Sequence, residues 1–352
     1  MVSWNDSLAA VHKLLVSPMN PADPASFNHR TERLSTGRTY HFVDQKPDSY
    51  DPETTRTILC VHGFPDCWYG WRYQIGPWVS KGYRVVVPDM LGYGGTDKPH
   101  DFNEYTTKRL SDDLAALLDV IGVQKAVIIG HDWGAYTVSR FALWHPSRLL
   151  ALAMLAVPYR PPASAYASLE DIVKQVPQYG YQLYFADPSS TKEIEDNLSH
   201  FLDLMYGRLR SSKRFVVKGN LREVLLTKDG VPTGKELIDD QELRYLKSQL
   251  QDMQGPLNYY RTTKARFDEE HAAKDSLGIR ADLPVLCLAG EKDSTGTPEQ
   301  MEFSRRFIPQ LQATTFEGVG HWLMLEVRQE VTEKVLIWLD EVLAGQQPTG
   351  KL

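Results

Sequence analysis

The stretch Gly130-His131-Asp132-Trp133-Gly134 decides the reading of this sequence. It follows the apolar run Lys125–Ile129 and leads into the helix-like stretch Ala135–Trp144. A strand that turns sharply into a helix, with a glycine on either side of a reactive side chain, presents that side chain above a sheet. A bare G-x-D-x-G arises by chance in roughly one chain in ten of this length, so the strand before it and the helix after it carry the weight. The bland alternative is a glycine-bounded turn whose Asp caps the helix. The central residue also sets the chemistry. A carboxylate is ionised at neutral pH and attacks without a base. On an sp³ carbon it forms an alkyl ester that water can open, whereas a serine would leave an ether. Asp132 therefore points to displacement at carbon and away from ordinary acyl transfer.

Working outward, further short apolar runs end at turn residues. Thr57–His62 stops at Gly63, Tyr83–Val87 at Pro88, Leu149–Val157 at Pro158 and Pro284–Ala289 at Gly290. β-branched residues and turn punctuation mark them as buried strands. Upstream, Arg33–Leu34 and Thr39–Val43 read as a strand pair joined by Ser35-Thr36-Gly37. Leu110, Leu114, Leu117, Leu118 and Ile121 follow helical spacing and Gly122 is placed to end that helix; Val331, Val335, Trp338, Leu339 and Val342 repeat the pattern before Gly345. Alternating strands and helices predict an α/β fold, a mostly parallel sheet covered on both faces. The alternation breaks between about Tyr159 and Asp282, a stretch too long for a loop. It reads as a helical lid inserted after a strand's carboxyl end, where ligands bind in open α/β sheets. The expected organisation is a core in two parts, 1–158 and 276–352, with a lid over 159–275.

Two more segments carry chemistry. His62-Gly63-Phe64-Pro65-Asp66 ends an earlier strand, where this fold supplies one oxyanion-hole amide; the residue after the nucleophile supplies the other. The amides of Phe64 and Trp133 are thus expected to face Asp132. Chain order then asks for an acid and a late histidine. Among ten histidines, His321 alone lies late and in a glycine-flanked loop, Gly318-Val319-Gly320-His321-Trp322. Asp293, after the run Pro284–Ala289, is the expected orienting acid, with Glu291 and Glu317 as rivals. His131 is expected to point away from the site, and His145 to end a helix.

Together these residues resemble the α/β-hydrolase-fold epoxide hydrolases, close to the hydrolase domain of mammalian soluble epoxide hydrolase and its single-domain microbial and plant relatives. The segments are HGFPDCWYGWR (His62–Arg72), DMLGYGGTDKP (Asp89–Pro99), GHDWGA (Gly130–Ala135), YQLYF (Tyr181–Phe185), GPLNYYR (Gly255–Arg261) and GHW (Gly320–Trp322). They span about residues 30–345, with no counterpart for the phosphatase-like N-terminal domain of the mammalian protein. The resemblance implies that Tyr181 and Tyr260 hydrogen-bond the epoxide oxygen, and that the Phe64–Pro65 peptide is cis. Their chemistry fits: an alkoxide is a poor leaving group that needs a proton, and a phenol keeps one at pH 7. Tyr159, Tyr179, Tyr184 and Tyr259 are the nearby alternatives. Gln182, Phe185 and Trp322, beside the quoted residues, are expected to contact substrate. The partners implied are a small epoxide and water, with no cofactor and no metal.

Two rival functions share much of this pattern. A haloalkane dehalogenase would use the same Asp nucleophile but needs halide-binding N–H donors, commonly an Asn where this chain has Phe64. A small-molecule receptor could keep the fold without turnover; the set Asp132, Asp293 and His321 argues against it. Composition narrows the field further. The chain has 352 residues, 42% of them hydrophobic, and a net charge of −6, which gives no footprint for nucleic acid or an anionic membrane. Three cysteines without a CxxC argue against a disulfide scaffold or a cysteine-rich zinc site. No apolar run reaches the ~20 residues of a membrane span, and Met1 to Asn20 lacks the pattern of a secretory signal. A cytoplasmic location is expected; the final Gly350-Lys351-Leu352 only partly matches a peroxisomal address. The oligomeric state is left open.

Overall fold

The computed structural model describes residues 19–234 and 237–344. The segment before Met19, the expected helix stop at Gly345 and the final tripeptide lie outside the described residues. The first half of the sheet comprises β1 (His29–Arg33), β2 (Thr39–Gln45), β3 (Thr57–Val61), β4 (Arg84–Pro88), β5 (Ala126–His131) and β6 (Leu149–Leu155). Three helices alternate with these strands: α1 (Arg72–Ser80), α2 (Thr107–Val120) and α3 (Trp133–Trp144). Every residue of β3, β4 and β5 is buried, which is why they read as continuous apolar runs rather than alternating ones. α2 ends as its sequence requires, with Gly122 at φ 72° after the Ile121 cap.

After β6 the chain leaves the core and returns much later. Ala156, at φ 71°, turns it out of the sheet, so the strand stops two residues short of the expected Val157. The inserted segment carries helices α4 (Leu169–Gln175), α5 (Gly180–Ala186), α6 (Ser189–Asp196), α7 (Leu198–Met205), α8 (Asn220–Thr227), α9 (Asp240–Gln249), α10 (Gln254–Arg261) and α11 (Thr263–Ala272). A two-residue ribbon, β7 (Leu209–Arg210) with β8 (Val231–Pro232), lies among them. The core then resumes with β9 (Val285–Gly290), α12 (Pro298–Arg305), β10 (Leu311–Phe316), α13 (Leu323–Glu326) and α14 (Arg328–Leu343).

The eight-stranded sheet has the order β1-β2-β4-β3-β5-β6-β9-β10. β1 and β2 are antiparallel additions; from β4 to β10 every neighbour is parallel. β6 pairs directly with β9, Leu152 opposite Val285, so the whole lid interrupts two adjacent strands. Lid and core are joined by buried ion pairs. Arg72 of α1 reaches Glu242 of α9 at 2.8 Å, and Arg140 of α3 reaches Glu270 of α11 at 2.8 Å. The Trp68 indole adds a hydrogen bond to the Tyr245 phenol at 2.8 Å.

Candidate active site

The turn between β5 and α3 is built by close approach. A methyl group on Gly130 would lie 2.4 Å from the Gly134 carbonyl carbon, and one on Gly134 would lie 2.1 Å from the Val61 carbonyl oxygen. Only glycine lets α3 start this close to β5 and β3. Asp132 completes the turn with φ 52° and ψ −118°, a sparsely populated conformation for a residue with a Cβ. Its side chain is thereby lifted above the carboxyl ends of the strands, and it makes no hydrogen bond to cap α3. The residue remains 8% exposed.

The Phe64 amide donates to Asp132 Oδ1 at 2.9 Å, and the Trp133 amide also favours the charged carboxylate. The Phe64–Pro65 peptide is cis. The loop before Phe64 is pinned by His62, whose Nδ1 lies 2.9 Å from the Gly63 carbonyl while Nε2 accepts from the Met90 amide at 2.9 Å. Burial pushes this ring down to about 4, so it stays neutral.

On the other side of Asp132 stands His321. Its Nε2 is 3.6 Å from Asp132 Oδ2, and its Nδ1 is 2.8 Å from Asp293 Oδ2. Thr295 donates to Asp293 Oδ1 from both its amide and its hydroxyl, each at 2.8 Å. The rival acids fall elsewhere: Glu291 accepts from the Gly318 amide at 2.8 Å, and Glu317 is exposed. The charges reinforce one another. Burial raises the Asp132 carboxyl above the usual range, against the opposing pull of His321 and the two amides. For His321, burial works against the charge, but Asp293 and Asp132 outweigh it and push the imidazole up to about 9. Asp293, although burial opposes its charge, is held below the usual carboxylate range by His321 and Thr295.

The lid supplies the opposite wall. A small chamber of about 540 Å³ brings Asp132 and His321 together with Tyr181, Tyr260, Phe185 and Trp322. A larger one of about 830 Å³, its open mouth included, is lined by Asp132, Tyr181 and Gln182 among others. The two share Asp132, Tyr181 and Thr295. Gln182 donates to the Tyr181 phenol at 3.3 Å. Burial and the negative charge of Asp132 raise the Tyr181 and Tyr260 phenols well above their ordinary range, so both keep their protons. Two of the neighbouring tyrosines are occupied otherwise: Tyr259 donates to the Leu91 carbonyl at 3.0 Å, and the Tyr179 phenol accepts from Gln300 at 3.0 Å.

Two residues that hold the His321–Asp293 pair in place escaped the sequence reading. Thr295 is one. Glu326 is another: it accepts from the Gly320 amide at 2.9 Å and the Trp322 amide at 3.0 Å, gripping the loop on both sides of His321. His131, already named from the sequence, makes a contact that the sequence does not show. It does point away from Asp132, as expected, but its Nε2 meets the His321 carbonyl at 2.9 Å, and burial pushes it down to about 3. His145 caps the end of α3 and bonds Asp112 at 2.9 Å. Among the described residues no cluster of His, Cys, Asp or Glu could hold a metal ion, and the three cysteines are buried and unpaired.

Fold and site together define an α/β hydrolase with a carboxylate, in place of a hydroxyl, at the strand-to-helix turn. The family model for the alpha/beta hydrolase fold matches residues 56–326. The Rattus norvegicus "Bifunctional epoxide hydrolase 2" is 30% identical over 94% of this chain, which spans 59% of that relative's length. "Epoxide hydrolase srdG" of Neurospora crassa is 30% identical, covering 92% of this chain and 98% of its own. The crystal structure of epoxide hydrolase A from Mycobacterium thermoresistibile superposes with a TM-score of 0.77 at 27% identity, over 89% of this chain and 98% of that one. The chain belongs to the epoxide hydrolases of the α/β-hydrolase fold.

Proposed function

We propose that the protein hydrolyses an epoxide to a vicinal diol through a covalent ester on Asp132. The observation that carries this reading is the placement of Asp132 between two amides, a histidine–aspartate pair and two lid phenols. Oδ1 lies against the Phe64 amide, which leaves Oδ2 to attack an epoxide carbon from the back. The carbon–oxygen bond of the ring breaks, and Tyr181 or Tyr260 gives its proton to the departing oxygen. His321, oriented by Asp293, then takes a proton from water. The hydroxide adds to the ester carbonyl carbon, and the amides of Phe64 and Trp133 hold the resulting oxyanion. Collapse breaks the acyl–oxygen bond, the proton of the added hydroxide passes to the departing alkoxide to complete the diol, and the proton held on His321 returns to the tyrosinate, so that carboxylate, imidazole and phenol are all restored. Phe185 and Trp322 form apolar walls, and Gln182 steadies the Tyr181 phenol. In this reading the core, 1–158 with 276–352, carries the attacking and hydrolysing groups, and the lid over 159–275 carries the proton donors. Among the described residues no helix is long and apolar enough to cross a membrane; we place the activity in the cytoplasm.

The test is a single turnover in heavy-oxygen water with enzyme in excess. The solvent oxygen is expected in the peptide that carries Asp132, and the diol is expected almost unlabelled. Label mainly in the diol would sink the covalent path, even if every residue named here proved essential.

A further inference from the structure

The net charge of −6 conceals a local excess of the opposite sign. Residues 208–232, in the lid, carry seven lysines and arginines against two acids. The fold gathers part of this excess on one surface. A groove of about 1070 Å³, its open mouth included, is lined by Arg210, Lys213 and Arg214 of the lid and by Lys292 of the core, and its described lining holds no acid. All of these cations are exposed. The local acids are engaged, Glu223 by Lys213 and Asp229 by the Ser211 hydroxyl at 2.6 Å. Among the described residues Arg210, Arg214 and Lys292 meet no carboxylate, whereas their neighbours Arg208 and Arg222 bind Asp240 and Glu193.

Apolar side chains stand in the open among these cations. Val231, opposite Arg210 in the β7–β8 ribbon, is 60% exposed, Val217 47% and Phe215 44%. Apolar surface grouped in this way marks a place of contact. It does not suit a protein partner, since protein interfaces are depleted in lysine and this stretch presents Lys213, Lys218 and Lys292. Long cationic side chains around protruding apolar ones match the boundary of an anionic bilayer. There each charge gains from the surface potential and each apolar group from the acyl edge. The groove also adjoins the reaction chamber. Phe215 and Ser294 line both it and the chamber of Asp132, and the Phe215 ring centre is 6.2 Å from that of Tyr181.

We propose that this face of the lid docks on an anionic lipid surface, with Arg210, Arg214 and Lys292 over the headgroups and Val217 and Val231 at the acyl edge. Docked in this way, the protein turns the Phe215 side of its chamber toward the lipid, the phase in which an apolar molecule concentrates. The docking goes beyond the proposed epoxide opening and does not depend on it.

Flotation of the full chain with lipid vesicles tests the docking. Vesicles of phosphatidylcholine, with and without phosphatidylserine, are compared at low salt. Partition into the anionic vesicles is expected to exceed that into the neutral ones by about tenfold or more, and to fall as salt is added. Arg210→Gln combined with Arg214→Gln is expected to weaken it by about thirtyfold, and Val217→Ser combined with Val231→Ser by several fold. Equal partition into both vesicles, no partition at all, or a glutamine pair that floats as the native protein does would overturn the proposal. So would a serine pair that floats as the native protein does, because a purely electrostatic face would fit an acidic protein instead. Diol formation from neutral styrene oxide, without vesicles, is the separate readout, and both pairs are expected to retain it. A native protein that makes no diol would remove the proposed activity, while the vesicle comparison would still decide the docking.

Discussion

At His321 two demands compete. The free site holds it as an imidazolium, pushed up to about 9 by Asp293 and Asp132 against the opposing effect of burial. In the proposed reaction the hydrolytic step needs it neutral. Ester formation supplies the change, because it removes the negative charge of Asp132 while Asp293 stays, so the imidazole's pKa falls. The sign follows. Ester hydrolysis requires the deprotonated ring and slows by about tenfold per unit once pH drops below that lowered value. Ester formation requires ionised Asp132 and fails only in more acidic solution. As pH is lowered from about 9 to about 6, either side of the ordinary histidine range, the steady-state fraction of alkylated protein should rise, read by rapid quench and intact mass. A fraction that rises with pH instead would remove His321 as the base. His321→Gln takes the same logic to its limit. Turnover is expected to fall by about 10²- to 10⁴-fold while a covalent adduct collects on the Asp132 peptide, and Asp132→Asn should show none. An adduct on any other residue would mean that the nucleophile is misassigned.

Among the elements, the β5–α3 turn is the least forgiving. Gly134→Ala places a methyl against the Val61 carbonyl at 2.1 Å, and backbone cannot step aside as a side chain can. We expect a loss of at least ~1–3 kcal/mol, measured by urea denaturation, and lower activity in whatever folds. A Gly134→Ala variant of native stability would show that α3 has room we do not see. The same turn was legible in the sequence because its glycines, the strand before it and the helix after it are all local signals. β10 was not. Leu311-Gln312-Ala313-Thr314-Thr315-Phe316 is an edge strand with only Leu311 fully buried, so it lacks the continuous apolar run that gave away β3 to β6 and β9. Tyr181 and Tyr260 show a second limit. They come from α5 and α10, far apart in the chain, and only a resemblance to known enzymes could select them from 17 tyrosines. Glu326 and His131 act through backbone groups of the His321 loop, contacts that no residue spacing encodes.

For the molecule as a whole, the joint between lid and core rests on charges placed where water cannot reach. Arg140 is 2% exposed and depends on Glu270, with help from the Arg160 carbonyl and the Tyr136 phenol. Glu270→Ala strands a buried cation and should cost about 3 kcal/mol or more, measured as a drop in denaturation midpoint. The paired change Arg140→Met with Glu270→Leu should recover most of that loss, since apolar packing can replace a buried ion pair. If the single and paired variants were equally unstable, the joint would depend on something other than charge.

The direct pairing of β6 with β9 has a consequence for how the molecule assembles. Between Leu155 and Val285 the chain makes an excursion through the entire lid, and closing a flexible loop of that length costs on the order of 4 kcal/mol in entropy. β3, β5 and β6 face no such barrier, so Asp132 and the Phe64 amide can be in place before Asp293 and His321 arrive. The two halves of the proposed reaction are therefore encoded on opposite sides of the longest closure between paired strands. A molecule caught between them, with its lid already docked, could accept an electrophile and would have no means of letting it go.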